Sequence, residues 1–478
     1  MIQAFIHAPR YHVLVEIALV IWILRLLFFT KSYRSERTVL TEKEKEDLIE
    51  DWQPEPLAPP LSESDAALLN VNERIVDRHI WEFCSKIGKH VTVNGHECLN
   101  LASMNFLAMN EDPLIEEDAV ASLRKYGVGS CGPRGFYGTV DVHLFLEEAL
   151  QKFMGCEEAI IYSYGFSTVA SAIPAYSKRG DILYADESVH FAIQKGIQAS
   201  RSRVRYFKHN DMDDLERLLQ EQEREDQRNP KKAKVTRKFI LVEGLSMKHG
   251  DLCPLPKLVE LKNKYRVRVF MDESLSFGTI GKTGKGVTEF YNIDVTEIDL
   301  ITGSLEYALG SVGGFCVGKS YVVDHQRLSG LGYCFSASNP PMLSQAAITA
   351  LQILQDKPEK LERLQENSKW MHRQLAQIDG LKVSGEAISP IIYVQLSDAT
   401  GQTGVDRALL QRIVSECEIQ GIALTCPAFL DDEELFVPPP SIRVAVNCDL
   451  TKEEIDEAIR IIQNVVRDVL STRDAFAQ

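Results

Sequence analysis

The chain has 478 residues, 45% hydrophobic and 25% charged, which fits a folded globular protein and excludes disordered, collagen-like and multi-spanning membrane classes. Lys plus Arg total 53 against 68 for Asp plus Glu, so the formal net charge is -15 and no domain-wide basic surface for nucleic acid is implied. Ten cysteines include no CxxC pair, which disfavours a zinc site or a disulfide scaffold and suits reduced thiols facing the cytosol. No metal site is expected.

Residues 11–29 form an apolar run, YHVLVEIALVIWILRLLFF, whose helical rise approaches the roughly 30 Å of a bilayer core. The run predicts a transmembrane helix over 11–30, with Glu16 and Arg25 near its ends, where side chains can snorkel. An in-plane amphipathic helix and a cleaved signal peptide are the rivals, but no small-residue cleavage site follows. Lys31, Arg34 and Arg37 outnumber Arg10, so residues 1–10 are expected to be luminal and the bulk of the chain cytosolic. Residues 31–95 then comprise a charged helix near 41–51, a proline-rich linker at 53–61 and an N-terminal segment.

Beyond this, β-rich runs alternate with helical patterns: EAIIYSY, DILYAD, RVRYF, KFILVE, RVRVFMDE and DLITGS. That alternation predicts an α/β domain over 96–341 with a mostly parallel central sheet. Residues 211–234 read as a solvated helix and loop. After Pro340 and Pro341 come long helices over 342–375, strands near SPIIYVQL and SIRVAV, and a last helix from Thr451. These predict a smaller α+β C-terminal domain, 342–478.

Two glycine-rich stretches are false leads for nucleotides. Residues 126–139, YGVGSCGPRGFYGT, do not spell GxGxxG after a strand, and at 276–286 Ser276 stands where a phosphate loop has its first glycine. The order of other features says more. In SYGFST, Gly165 would free backbone N–H groups at a helix start, a natural phosphate cradle. His190 follows one strand, Asp272 ends another, and TGSLEYALGSVGG follows a third. Singly, each has a plainer explanation: a turn glycine, a structural histidine, a capping aspartate. Gathered at the carboxyl ends of one sheet, they suit a planar, phosphorylated pyridine.

With NFLAM near Asn105, GVGSCGPRGFYGT followed by His143 and Glu147, SYGFST, DESVHFAI, FKHND, VEGLSMKHGDLCPL, DESLSFGTIGKTGKG, ITGSLEYALGSVGG and CFSASNPP, the chain resembles the α-oxoamine synthases from about Leu99 onward. These pyridoxal-phosphate enzymes join an amino acid to an acyl-CoA with loss of CO2. The resemblance implies the fold type I pyridoxal-phosphate transferase architecture. The N-terminal anchor points, within the family, to the serine palmitoyltransferases, which condense L-serine with palmitoyl-CoA into 3-oxosphinganine at the endoplasmic reticulum membrane.

In that family the cofactor-bearing lysine follows a T-(L/F)-G motif; here the stretch is Ser304, Leu305, Glu306, Tyr307. A phenol cannot form the imine, and Lys319 lies too far along the chain to take the same turn. The resemblance therefore assigns this chain no catalytic residue. It leaves a vestigial cofactor pocket of Gly165, Phe166, His190, Asp272 and Ser304, in which Leu275 replaces the family's histidine. Ser246 matches a hydroxyl near the substrate, and Arg443 is the candidate for a substrate carboxylate.

Because the family's sites lie between two chains, the resemblance implies a heterodimer with a homologous, lysine-bearing catalytic subunit that carries the pyridoxal phosphate. Cys131, Arg134, Ser336 and Ser338 are the residues expected near that partner's site, and small membrane regulatory subunits are expected to join. The alternatives are an active homodimeric α-oxoamine synthase with an unrecognised base, and a scaffolding or regulatory membrane protein.

Overall fold

The computed structural model describes residues 10–29, 41–52, 86–431 and 433–471. The chain separates into two compact units, Met1–Ile80 and Trp81–Gln478. In the first, helix Arg10–Phe29 forms over the apolar run, and its side chains from Leu14 to Phe28 are exposed. Among the described residues, however, no helix is long and apolar enough to cross a membrane. The expected transmembrane helix over 11–30 is thus corrected to an exposed apolar helix. The helix carries Glu16 and Arg25 within its apolar run.

Helix Glu42–Glu50 follows as expected, opened by a capping box in which Glu44 N–H donates to Thr41 Oγ1 and Thr41 N–H donates to Glu44 Oε2. Residues 1–9, the basic flank at 31–37 and the proline-rich stretch at 53–61 lie outside the described residues.

The second unit opens with an antiparallel hairpin, β1 (His90–Val93) and β2 (His96–Asn100). The central sheet is built from β3 (Glu158–Tyr162), β4 (Ile182–Asp186), β5 (Arg203–Phe207), β6 (Lys238–Glu243), β7 (Arg268–Asp272), β8 (Leu300–Ser304) and β9 (Gly314–Gly318). Its order is β3-β9-β8-β7-β6-β4-β5. Strands β4 to β8 pair in parallel, while β9 runs antiparallel to both β3 and β8. Every residue of β4 and β8 is buried, as expected for inner strands covered on both faces.

A second sheet joins β10 (Leu381–Ser384), β11 (Ile391–Leu396) and β13 (Ile442–Ala445), all antiparallel, and β12 (Ile422–Ala423) adds in parallel to β2. Helices Pro341–Asp356 and Glu359–Leu375 occupy the predicted helical stretch, and helix Lys452–Ser471 closes the described chain with Ile455, Ile459, Ile462 and Val466 turned into the core.

Helix Met212–Arg228 is less solvated than its charge suggests. Asp211 caps it, and Met212, Leu215, Leu218, Leu219 and Gln222 are buried, a one-sided stripe carried by a largely charged helix.

The described cysteines are free, and Cys131 is the exposed one among them. Burial, first of all, pushes the Cys98 and Cys156 thiols up to about 11.

Candidate functional site

Strand direction decides where chemistry gathers. Because β9 reverses between β3 and β8, the ends of β3, β4, β6, β7 and β8 all point to one edge of the sheet. The segments leaving that edge line a cleft of about 570 Å³ that includes Tyr164, Gly165, Phe166, His190, Lys248, Ser304, Glu306 and Tyr307. The register Leu300↔Gly318 puts Lys319 just past the opposite edge, roughly 13 Å of strand from Ser304. Lys319 therefore cannot serve this cleft.

Two helices hold its wall. Gly165–Tyr176 starts directly after β3, and Phe191–Ser200 starts at His190. They cross closely at Gly196, where a Cβ would stand 2.9 Å from Ile173 Cδ1 and 3.1 Å from Val169 O. Any larger residue would drive the helices apart and move both ends of the cleft.

His190 acts first as a cap: its Nδ1 accepts the Ala192 N–H at 3.2 Å. This leaves the ring proton on Nε2, which donates to Asp272 Oδ2 at 2.6 Å. The other oxygen, Oδ1, accepts from Ser274 Oγ at 2.6 Å and Thr302 Oγ1 at 3.2 Å. Asp272 is thus fully partnered within the chain. Beside it, burial and then the Asp272 charge raise the Glu243 carboxyl to about 7, although the His190 ring pulls the other way.

Tyr307 lines the cleft at the position expected for it, and its hydroxyl makes no hydrogen bond to any described residue. Burial, with the neighbouring Glu306 and Asp272 charges, pushes its phenol up to about 12. It is neither an imine-forming group nor a base near neutrality. Lys248 is the amine among the described cleft residues, but it is held: Nζ meets Glu434 at 2.5 Å and donates to the Phe436 carbonyl at 2.6 Å. Leu275 is buried in the core, and Ser246 Oγ accepts the His249 N–H at 3.3 Å. Arg443 donates from Nη2 to Ala102 O at 3.2 Å, pairs with no carboxylate among the described residues, and keeps its Nε buried without a partner.

Do these groups suit pyridoxal phosphate? Gly165 and Ser304 do converge, but the Glu306 carboxylate lies against Gly165, accepting its N–H at 3.4 Å, and the Glu306 N–H takes Ser304 Oγ. His190 takes the Asp272 oxygen that a pyridine nitrogen would need. The expected pocket is assembled, but its groups as they stand do not fit the cofactor. Glu306 is also the residue that the sequence motif underplays: it stands where the family motif has glycine, beside the more conspicuous Tyr307.

Behind the cleft, His209 bridges two carboxylates, with Nδ1 to Asp186 at 2.9 Å and Nε2 to Asp251 at 3.0 Å. Burial opposes its charge, but the two acids outweigh burial and raise His209 to about 10. His249 stacks on it at 4.3 Å and is lowered by burial and by that cation.

The glycine-rich loop 126–139 lies against the segment that follows helix Leu331–Cys334. Ser338 N–H donates to Gly132 O at 3.0 Å and Ser338 Oγ donates to Gly138 O at 2.6 Å, while Ser336 Oγ donates to Gly332 O. A Cβ on Gly138 would fall 1.9 Å from Gly132 O, so only glycine closes this loop. Cys131 sits exposed on it with φ 61°, whereas Arg134 turns inward to Glu147.

Comparison with known proteins matches this architecture. Residues 96–462 match the family model for aminotransferase class I and II. Long chain base biosynthesis protein 1b of Oryza sativa subsp. japonica is 42% identical over 96% of this chain and 92% of its own length. Serine palmitoyltransferase 1 of Dictyostelium discoideum is 41% identical over 91% and 90%. Among solved structures, SPT with PLP internal aldimine superposes with a TM-score of 0.75 at 25% identity, covering 86% of this chain and 99% of that one. The chain therefore belongs to the class I and II aminotransferase family, and its relatives there are long chain base biosynthesis protein 1 and serine palmitoyltransferase 1.

Proposed function

We propose that this chain is the non-catalytic subunit of a serine palmitoyltransferase, pairing with a homologous subunit whose lysine carries pyridoxal phosphate. The pair condenses L-serine with palmitoyl-CoA into 3-oxosphinganine. One observation carries the reading: an otherwise complete fold presents Tyr307, with a phenol held near 12, where the reaction needs an amine. The family match and the names of the relatives support the reaction class.

From this side, the exposed loop around Cys131 faces the partner's site with Ser336 beside it, while Ser338, buried beneath the loop, and Arg134 brace it from within. The exposed apolar helix Arg10–Phe29 holds the complex to the endoplasmic reticulum membrane, where small membrane subunits join it and the bulk of the chain faces the cytosol. A membrane surface suits a reaction whose acyl donor and product both carry a long chain.

Expression of the full chain alone and together with its lysine-bearing homologue, followed by assay of 3-oxosphinganine, tests the proposal. Activity is expected only from the pair. Turnover by this chain alone would overturn it.

A further inference from the structure

We propose that Glu306, and not the missing amine alone, bars phosphate-bearing ligands from this chain's cleft, because its carboxylate takes the anion seat at the start of helix Gly165–Tyr176. That end of the helix carries unsatisfied N–H groups and a positive dipole end, and Tyr164 offers no side-chain cap. Glu306 Oε1 accepts the Gly165 N–H at 3.4 Å. A Cβ placed on Gly165 would meet Ser304 Oγ at 3.0 Å and the two Glu306 oxygens at 3.3 and 3.4 Å, so the space over the Gly165 N–H, where a phosphate would sit, is already taken by a carboxylate.

Ser304 is also engaged, its Oγ accepting the Glu306 N–H at 3.1 Å. Glu306 forms no ion pair with a cation among the described residues; the helix end is what satisfies it. A phosphate entering here would meet a fixed negative charge at contact distance, and the two anions repel. Glu306 is thus a specificity-determining residue that keeps the cleft free of cofactor. The inference stands whether or not the chain pairs as proposed above.

The test is calorimetric binding of inorganic phosphate, pyridoxal phosphate and phosphate-free pyridoxal to the full chain. Glu306→Gln keeps the shape and removes the charge; Glu306→Gly restores the residue that the family motif carries. Both are expected to bind phosphate and pyridoxal phosphate at least tenfold more tightly than the parent, with pyridoxal unchanged. Tyr307→Lys alone should behave as the parent, while Glu306→Gly with Tyr307→Lys should retain pyridoxal phosphate through gel filtration. Thermal melting of each variant confirms its fold, and the isosteric Glu306→Gln serves if the glycine variant melts early. The inference falls if neither folded Glu306 variant gains phosphate affinity, or if Tyr307→Lys alone retains as much cofactor as the double variant.

Discussion

Arg134 and Glu147 face one another through two parallel N–H···O bonds of 2.9 and 3.0 Å, with both side chains almost wholly withdrawn from water. Glu147 Oε1 also accepts the Ile161 N–H at 3.1 Å, so one carboxylate ties the glycine-rich loop, helix Asp141–Met154 and β3 together. Removing one partner leaves a buried charge unpaired. Glu147→Ala is expected to cost about 3–5 kcal/mol in urea unfolding. Arg134→Lys should recover only part of the loss, since an ammonium cannot make the paired contact.

Gly138→Ala is expected to spring the loop without unfolding the sheet. The added methyl group would overlap Gly132 O, releasing the Ser338 contacts that hold the loop tip. Hydrogen exchange should show faster amides over 130–139 and unchanged protection in β4 and β6. If the loop does form part of a partner's site, co-expressed activity falls as well.

The two halves of the Ser304-to-Tyr307 turn should respond differently to substitution. The Tyr307 hydroxyl bonds to no described residue, so Tyr307→Phe is expected to leave the melting temperature unchanged and the activity of the co-expressed pair within about twofold of the parent. A large loss of activity would reveal a job for the phenol that its surroundings do not suggest.

Stability should fall on the alkaline side of neutrality because of His209. Its pKa rises from an ordinary value near 6.5 to about 10 in the fold. The stabilisation from Asp186 and Asp251 is therefore complete below pH ~6.5 and is lost as the pH climbs through about 10, on the order of a few kcal/mol in all. His209→Gln should flatten that limb of a urea-midpoint profile between pH 6.5 and 10.

The sheet was legible because its inner strands are written in residues that fit nothing else: KFILVE and DILYAD cannot stay in water. β9 was not, since its short Phe-Cys-Val run is bracketed by glycines that read as a turn, and it forms by lying between β3 and β8. Helix Met212–Arg228 reads as solvated because its charges mask five buried residues on one side. The cleft residues were legible singly, from motif order and strand ends. Their partnerships were not. Gly165 and Glu306 lie 141 positions apart, and His190 and Asp272 lie 82 apart, so no local pattern announces that they meet.

Cys131 offers a practical consequence. Every other described thiol is wholly or partly withdrawn from solvent, while this one stands at the tip of a loop with its backbone in the left-handed region. Among the described thiols, a maleimide fluorophore should modify it first in otherwise unaltered protein. Its emission would then give a direct optical signal of whatever docks against that tip.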